Sequence, residues 1–182
     1  DEALLHTNIE DICLYEDNLI SISDDSLMFD LGGMAKGYIA DVIKAYLVNN
    51  GIDSAIISLG HNISLVGDKL GEDFSVGIKK PFSDNEIITT VNTSNKSVVT
   101  SGIYERYFEV NDRIYHHILS PKTGYPVDSD LSSITIISDS SLTGDYLSTY
   151  LFILGSEKSK KYVDQNDEIE IIRIDAKGRL LD

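Results

Sequence analysis

The segment Tyr-His-His-Ile-Leu-Ser-Pro-Lys-Thr-Gly-Tyr-Pro, residues 115–126, joins a strand-like run at residues 113–119 to a turn that contains two prolines and a glycine. Proline fixes φ and glycine accepts positive φ, so the turn holds one shape and orients the side chains before it. His116 and His117 lie at the end of this run, and imidazole suits proton transfer near neutral pH. A structural histidine with satisfied hydrogen bonds is the competing interpretation.

Length and composition predict one globular domain over residues 1–182, because 182 residues with 42% apolar side chains can bury a core. The net charge of -15 argues against binding to nucleic acid or to an anionic membrane. A small phosphorylated ligand needs local cations or a metal ion. The single Cys13 excludes an internal disulfide and a cysteine-rich metal site. No apolar run is long enough for a membrane span, and no signal peptide is recognisable.

Hydrophobic periodicity predicts an α+β fold in which short strands dominate and two or three helices are inserted. A helix is expected to begin after Asp30 and to end near Gly51, with Ala35, Ile39, Val42, Ile43, Tyr46 and Leu47 on one apolar face. Further helices are predicted at residues 144–155 and 156–164. Strands are predicted at residues 19–23, 54–59 (a buried strand), 74–79, 87–91, 98–100, 106–110, 113–119, 133–138, 169–174 and 179–181, with a hairpin turn at Asn111-Asp112.

The block Asp-Leu-Gly-Gly-Met-Ala-Lys-Gly, residues 30–37, lies where a strand leads into a helix. Tandem glycines let another group approach the backbone, and a helix start offers free N–H groups to an anion. Lys36 is available to pair with a phosphate. A tight turn that serves packing alone is the alternative.

The block Gly-Asp-Tyr-Leu-Ser-Thr, residues 144–149, places Asp145 and Thr149 one helical turn apart on the same face. A carboxylate and a hydroxyl are hard ligands of the kind that Mg²⁺ prefers. The alternative is that Asp145 interacts only with the helix dipole and that Thr149 bonds to a carbonyl of its own helix.

Two polar loops remain, at residues 58–63 and 100–106. In the first, His61 is either solvated or catalytic. In the second, we expect Glu105 and Arg106 to form a structural ion pair.

Five blocks in this order resemble the ApbE family of flavin transferases. They are Asp-Leu-Gly-Gly-Met-Ala-Lys-Gly (30–37), Leu-Gly-His-Asn (59–62), Thr-Ser-Gly-Ile-Tyr-Glu-Arg (100–106), the His-His segment (116–126) and Asp-Tyr-Leu-Ser-Thr-Tyr-Leu-Phe-Ile-Leu-Gly (145–155). The resemblance implies a T-fold-like α+β architecture and an enzyme that uses FAD as substrate. Such an enzyme transfers FMN to a Ser or Thr hydroxyl of an acceptor protein, releases AMP and requires Mg²⁺.

The matching positions imply a role for each site residue. The metal would be held by the Gly33 carbonyl, Asp145 and Thr149, with Ser148 beside them. Asp30, Lys36 and Ile118 would line the flavin nucleotide site. His117 is a better candidate than His116 for the general base, because it directly precedes the isoleucine of the family's His-Ile pair. An FAD pyrophosphatase that gives free FMN and AMP, and a non-catalytic flavin-binding module, are the alternatives.

The chain departs from the family pattern at three places. His61 replaces a glycine of Leu-Gly-Gly-Asn, and Ser120 replaces the usual Asp before Pro121. The family's long N-terminal segment, which includes flavin contacts, has no counterpart. Since the sequence begins at Asp1 without an initiator Met, we expect a fragment or processed product, and the missing segment implies that it folds but binds FAD weakly and is inactive when isolated. By resemblance alone, the location is extracytoplasmic, with any lipid anchor outside this chain.

Overall fold

A six-stranded antiparallel sheet forms the centre of the computed structural model, which describes residues 2–111 and 113–182. The helices are α1 (Gly32–Asn49), α2 (Ser141–Leu154) and α3 (Ser156–Val163). The strands are β1 (Ile12–Leu14), β2 (Ile20–Ile22), β3 (Ser54–Ser58), β4 (Asn62–Gly67), β5 (Phe74–Lys79), β6 (Ile87–Thr93), β7 (Ser97–Gly102), β8 (Tyr107–Val110), β9 (Arg113–His116), β10 (Leu131–Ser138), β11 (Glu170–Asp175) and β12 (Leu180–Leu181). The strand order in the main sheet is β12-β11-β10-β7-β4-β3, and β1–β2, β5–β6 and β8–β9 form separate hairpins.

Strand β10 explains why the sheet is covered on both sides. All eight of its residues are buried. Ile134 and Ile136 belong to the core cluster that contains Leu147 and Leu151 of α2, whereas Ile137 belongs to a second cluster with the β5–β6 hairpin. Successive side chains of a strand point to opposite faces, so a β-branched run of this kind is stable only between two layers. The predicted α+β class is confirmed.

The strand predictions fail at one edge of the sheet. A buried strand is predicted at residues 54–59, but β3 is an edge strand paired only with β4, and its Ile56 is 59% exposed. The prediction omits β4, because its first residue, Asn62, and its central Ser64 are typical of loops. Both are fully buried, and Ser64 Oγ accepts a hydrogen bond from Ser97 Oγ of β7.

Helix α1 uses only part of its predicted apolar face. Ile43 and Leu47 pack against the core, but Ile39, Val42 and Tyr46 are exposed. The buried residues of the helix are Gly37 and Ala40, two small residues three positions apart. Gly37 packs against α2 and Ala40 packs against Ile57 and Val66 of the sheet, so the buried face of the helix follows its small residues rather than the face predicted by hydrophobicity.

The hairpin predicted at residues 106–119 is present as β8–β9, with Val110 paired to Arg113. Asp112, expected in its turn, lies outside the described residues. Within residues 2–111 and 113–182, no helix combines the length and apolar character needed to cross a membrane.

Asp41 fixes α1 to the start of α2. Its carboxylate accepts hydrogen bonds from the Ser141 N–H (2.8 Å), the Leu142 N–H (3.0 Å) and the Ser140 hydroxyl (2.8 Å). A negative charge at a helix N-terminus satisfies free N–H groups and interacts favourably with the helix dipole. Asp41 is thus a capping residue supplied by another helix.

We expect Asp41→Ala to lower the free energy of unfolding by about 1 kcal/mol, since α2 keeps its N-cap Ser140 but the Ser141 and Leu142 N–H groups lose their acceptor and the helix loses its charge complement. Urea unfolding measures this change. The control is Asp164→Ala, which removes an exposed i,i+4 partner of Lys160 and should cost at most about 0.5 kcal/mol. Equal effects of the two substitutions would contradict the capping role.

Candidate functional site

The site is built where α1 crosses α2 at Gly37. A Cβ at this position would lie 2.5 Å from the Ser141 carbonyl oxygen, 2.7 Å from Leu142 Cα and 2.8 Å from Asp145 Cβ. Only glycine permits this approach. The Gly37 N–H donates a 2.8 Å hydrogen bond to Asp145 Oδ2. The crossing therefore joins the block at residues 30–37 to the block at residues 144–149.

Asp145 lies at the base of the site and is only 6% exposed. Burial raises the pKa of its carboxyl above the ordinary value, and the Gly37 N–H, the charge of Lys36 and the Asn62 amide oppose the rise. The nearby negative charge of Glu105 adds to it. A buried carboxylate whose ionised form is costly stays charged most readily when a cation binds beside it.

Three hydroxyl groups surround the start of the second turn of α2. Ser101 Oγ, from the end of β7, lies 2.8 Å from Ser148 Oγ and 3.1 Å from Thr149 Oγ1. Ser148 Oγ also donates to the Asp145 carbonyl at 3.0 Å. Ser148 is fully buried with its hydroxyl engaged in these bonds, whereas Thr149 is partly exposed to the space above.

An open cleft of about 620 Å³ lies above these hydroxyls. Asp30, Gly33 and Thr149 supply polar groups to its wall. The remaining lining is apolar and aromatic: Leu31, Met34, Tyr146, Leu147, Tyr150, Ile153 and Tyr162. A few polar groups in a largely apolar wall are typical of sites that bind small molecules.

Asp30 and Gly33 enter this cleft from the start of α1. Asp30 Oδ1 accepts a 2.7 Å hydrogen bond from the Gly32 N–H, which stabilises the turn into the helix. In a regular helix the Gly37 N–H would donate to the Gly33 carbonyl. In this structure the Gly37 N–H donates to Asp145 Oδ2, and Gly33 itself lines the cleft.

The two adjacent histidines have different environments. His116 is buried: its Nδ1 accepts from the Ile118 N–H (3.3 Å), its Nε2 lies 3.2 Å from the Val127 carbonyl, and burial lowers its pKa. His117 is exposed, and its Nδ1 lies 3.2 Å from the Arg106 carbonyl. A carbonyl only accepts, so Nδ1 of His117 carries the proton and Nε2 keeps its lone pair for proton acceptance.

The structure brings together some of the predicted site residues but not all. Asp30, Gly33 and Thr149 line the cleft. Asp145 is bonded to the Gly37 N–H, and Ser148 is bonded to Ser101 and to the Asp145 carbonyl. Lys36 is exposed, and its positive charge lowers the pKa of Asp145.

Two other predicted site residues lie outside the lining of this cleft. His117 directly follows β9 and does not line the cleft. The Ile118 side chain is buried in the core cluster with Leu147 and Leu151. Their roles stay predictions.

Sequence reasoning does not assign a role to the polar residues that contact α2 from distant segments of the chain. Ser101 and Asn62 fall in predicted loops without a role, and only their family blocks single them out. The predicted Glu105–Arg106 ion pair is wrong: Glu105 Oε1 lies 2.9 Å from His61 Nδ1. Since His61 stands where the family pattern has glycine, this contact distinguishes the chain from that pattern.

The donor set fits a hard cation only in combination with a ligand. In the described part of the chain, no group of three or more His, Cys, Asp or Glu side chains is arranged to hold a metal ion. One carboxylate, a hydroxyl and a backbone carbonyl remain, all oxygen donors. Mg²⁺ is commonly bound by one or two carboxylates together with substrate phosphates and water. The residues present therefore fit Mg²⁺ bound with a phosphorylated ligand.

The fold and the site define an α+β protein with a cleft of apolar and aromatic residues next to a cluster of oxygen-bearing side chains. The model of the ApbE family matches residues 1–173, and the chain belongs to this family. It is 42% identical over 154 residues to the FAD:protein FMN transferase of Klebsiella pneumoniae, covering 84% of this chain and 47% of that protein. It is 38% identical over 150 residues to that of Treponema pallidum, covering 77% and 41%.

Solved structures agree with this assignment. The ApbE protein of Thermotoga maritima superposes with a TM-score of 0.87 at 31% identity, over 99% of this chain and 59% of that one. The flavin transferase ApbE of Vibrio cholerae gives a TM-score of 0.81 at 30% identity, over 96% and 57%. The chain spans about half the length of the curated relatives it matches.

Proposed function

We propose that this chain carries the core of an FAD:protein FMN transferase, which moves FMN from FAD to a Ser or Thr hydroxyl of an acceptor protein and releases AMP. The observation that carries the proposal is that Gly33 and Thr149 line one cleft, while Asp145, one helical turn before Thr149, is joined to the start of α1 through the Gly37 N–H. Relatives with this name share the family, which supports the same substrate class here.

In the proposed reaction, the acceptor hydroxyl attacks the phosphorus on the FMN side of the FAD pyrophosphate. An O–P bond to the acceptor forms, and the P–O bond to the AMP phosphate breaks. The hydroxyl proton passes to Nε2 of His117, and AMP leaves with the bridging oxygen. Lys36 offsets negative charge in a chain that is otherwise strongly acidic.

Gly33, Asp145 and Thr149 would hold Mg²⁺, with Ser148 orienting the hydroxyl of Ser101 beside them. When bound, the metal supplies charge neutralisation for the pyrophosphate oxygens. Asp30 at the rim of the cleft and Ile118 behind it are the further nucleotide-site residues of the proposal.

His117→Ala is expected to reduce the rate of AMP release from FAD by about 10²- to 10⁴-fold, because the acceptor hydroxyl loses its base. The fold should be unaffected, since the side chain is exposed. His116→Ala should instead lower the melting temperature, because a buried ring with two hydrogen-bonded nitrogens is lost. A His117→Ala chain with wild-type turnover would exclude His117 as the base.

Product analysis distinguishes the proposal from its two alternatives. The chain is incubated with saturating FAD, Mg²⁺ and a peptide that contains a threonine. AMP with FMN-linked peptide supports the transferase. AMP with free FMN supports an FAD pyrophosphatase, and flavin binding without AMP supports a non-catalytic module.

The remaining features of the proposal rest on the family resemblance. We place residues 1–182 in one ApbE-like domain of a longer family architecture, acting outside the cytoplasm, with any lipid anchor outside this chain. The partners are FAD and the acceptor protein; the charge of -15 disfavours nucleic acid. Fractionation of cells that carry the natural gene, followed by detection of the protein, tests the location.

A further inference from the structure

Asn62 is the residue of the site whose hydrogen-bonding capacity is least used. It begins β4, its side chain is completely buried, and its Oδ1 accepts a 2.6 Å hydrogen bond from the Ser141 hydroxyl. Its Nδ2 has no assigned hydrogen-bond partner among the described residues. A buried amide N–H group left without a partner costs free energy, so a nearby acceptor is expected.

The geometry of α2 identifies that acceptor. Ser141 and Asp145 are four residues apart and lie one turn apart on the same helical face. The Ser141 hydroxyl donates to the oxygen of the Asn62 amide, so the amide nitrogen faces the next turn of α2, where Asp145 lies. A carboxylate only accepts hydrogen bonds, and this too requires the NH₂ end of the amide to face Asp145.

We propose that Asn62 is a positioning residue that holds the Asp145 carboxylate in one orientation, with Oδ2 toward the Gly37 N–H and Oδ1 toward the cleft. The inference rests on the proposed function, in which Asp145 is a metal ligand. Residues that hydrogen-bond to metal ligands fix their direction and typically change metal affinity by about 10- to 100-fold when they are lost.

Other groups also affect the ionisation of the Asp145 carboxyl. The Gly37 N–H and the charge of Lys36 favour its ionised form, while burial and Glu105 disfavour it. The Asn62 amide, like the Gly37 N–H, lowers the pKa of Asp145. Removal of the amide should therefore leave the carboxylate less firmly oriented and weaken the binding of a cation beside it.

The test is a crystal structure of each variant, compared with that of the wild type for the orientation of the Asp145 carboxylate. The variants are Asn62→Ala and Ser141→Ala, and the matched control is Ser64→Ala. Ser64 is equally buried on the same strand but bonds to Ser97. We expect the carboxylate to leave its wild-type orientation in Asn62→Ala and to keep it in Ser64→Ala. If Asn62→Ala does not fold, Ser141→Ala decides.

Calorimetric titration with Mn²⁺ as a probe, in the presence of saturating FMN, provides the second measurement. Asn62→Ala should bind Mn²⁺ about 10- to 100-fold more weakly than wild type. If wild type binds Mn²⁺ and Asn62→Ala changes neither the affinity nor the carboxylate orientation, the inference is overturned and the proposed metal site stands. If the orientation changes but wild type binds no Mn²⁺ with FMN present, Asn62 positions Asp145 and the metal part of the proposed function is overturned.

Discussion

Asp145→Asn should lower the rate of AMP release from FAD by about 100-fold or more, with the fold retained. A cation that neutralises a pyrophosphate contributes several kcal/mol to the transition state, and each 1.36 kcal/mol is tenfold in rate. Asn keeps the volume of Asp and still offers an oxygen to the Gly37 N–H, so the contact between α1 and α2 persists. What is lost is the negative charge beneath the cleft.

The control for this substitution is Asp139→Asn, which lies just before α2 with a side chain that is 84% exposed in an ion pair with Lys96. It should leave turnover unchanged. Similar loss in both variants, or wild-type turnover in Asp145→Asn, would remove Asp145 from the proposed machinery.

The same substitution has a predictable pH signature in the absence of metal. Burial raises the pKa of Asp145 in the folded chain above the ordinary Asp value of 3.8. Below the ordinary value, the carboxyl is neutral in both the folded and the unfolded state. As pH rises through the folded pKa, the wild type loses the stability that this group contributes in neutral form, whereas the amide of the variant does not titrate. The free energy of unfolding of the variant minus that of the wild type should therefore increase as pH rises from the ordinary Asp pKa to above the folded pKa of Asp145.

Urea unfolding of both proteins at a series of pH values measures that difference. A plateau is expected above the folded pKa of Asp145. A difference that decreases with rising pH would show that the ionised carboxylate stabilises the metal-free fold, contrary to the burial argument.

Gly37→Ala should lower the free energy of unfolding by about 1–3 kcal/mol, the usual cost of inserting a methyl group into a packed interior. The new Cβ would meet backbone atoms of Ser141 and Leu142, which cannot rotate away. Relief requires α1 and α2 to separate, and separation weakens the bond from Gly37 to Asp145. The variant should therefore lose AMP release as well as stability.

Gly33→Ala is the matched control, four residues earlier in the same helix. A Cβ at Gly33 meets nothing within 4 Å, and Ala is favoured over Gly in a helix by about 1 kcal/mol. Its stability should equal or exceed that of wild type in thermal and urea unfolding. Equal destabilisation by the two substitutions would contradict the view that the crossing at Gly37 is sterically limited.

Local patterns are sufficient to predict much of the fold. Short-range alternation indicates the β-branched run of β10 and the hairpin partners β8 and β9, and helical spacing indicates α2. The spacing of Asp145 and Thr149 places two oxygen donors on one helical face. These features depend only on neighbours within a turn of helix or a hairpin.

Features that depend on distant partners are not predictable in the same way. Asn62 and Ser64 look like loop residues until Ser141 and Ser97 are placed beside them. Asp41 lies on α1, yet it caps a helix that begins 100 residues later. A sequence pattern carries no signal for a hydrogen bond between segments so far apart.

The roles of the two adjacent histidines are only partly predictable from the sequence. The sequence favours His117 over His116 only through its place before Ile118 in the family motif. The structure separates the two by environment, because the ring of His116 is buried against Phe152 and the ring of His117 is exposed. Which of two adjacent residues is buried depends on the tertiary packing of this segment, which the sequence pattern does not specify.

Intact-mass spectrometry of a threonine-containing acceptor peptide, after incubation with the chain, saturating FAD and Mg²⁺, tests the central claim most directly. We predict a peptide that gains the mass of one FMN phosphoester, with an equal amount of AMP, and neither product with Asp145→Asn. AMP and free FMN with an unmodified peptide would contradict the transfer step. Labelled peptide from Asp145→Asn at the wild-type rate would contradict the site.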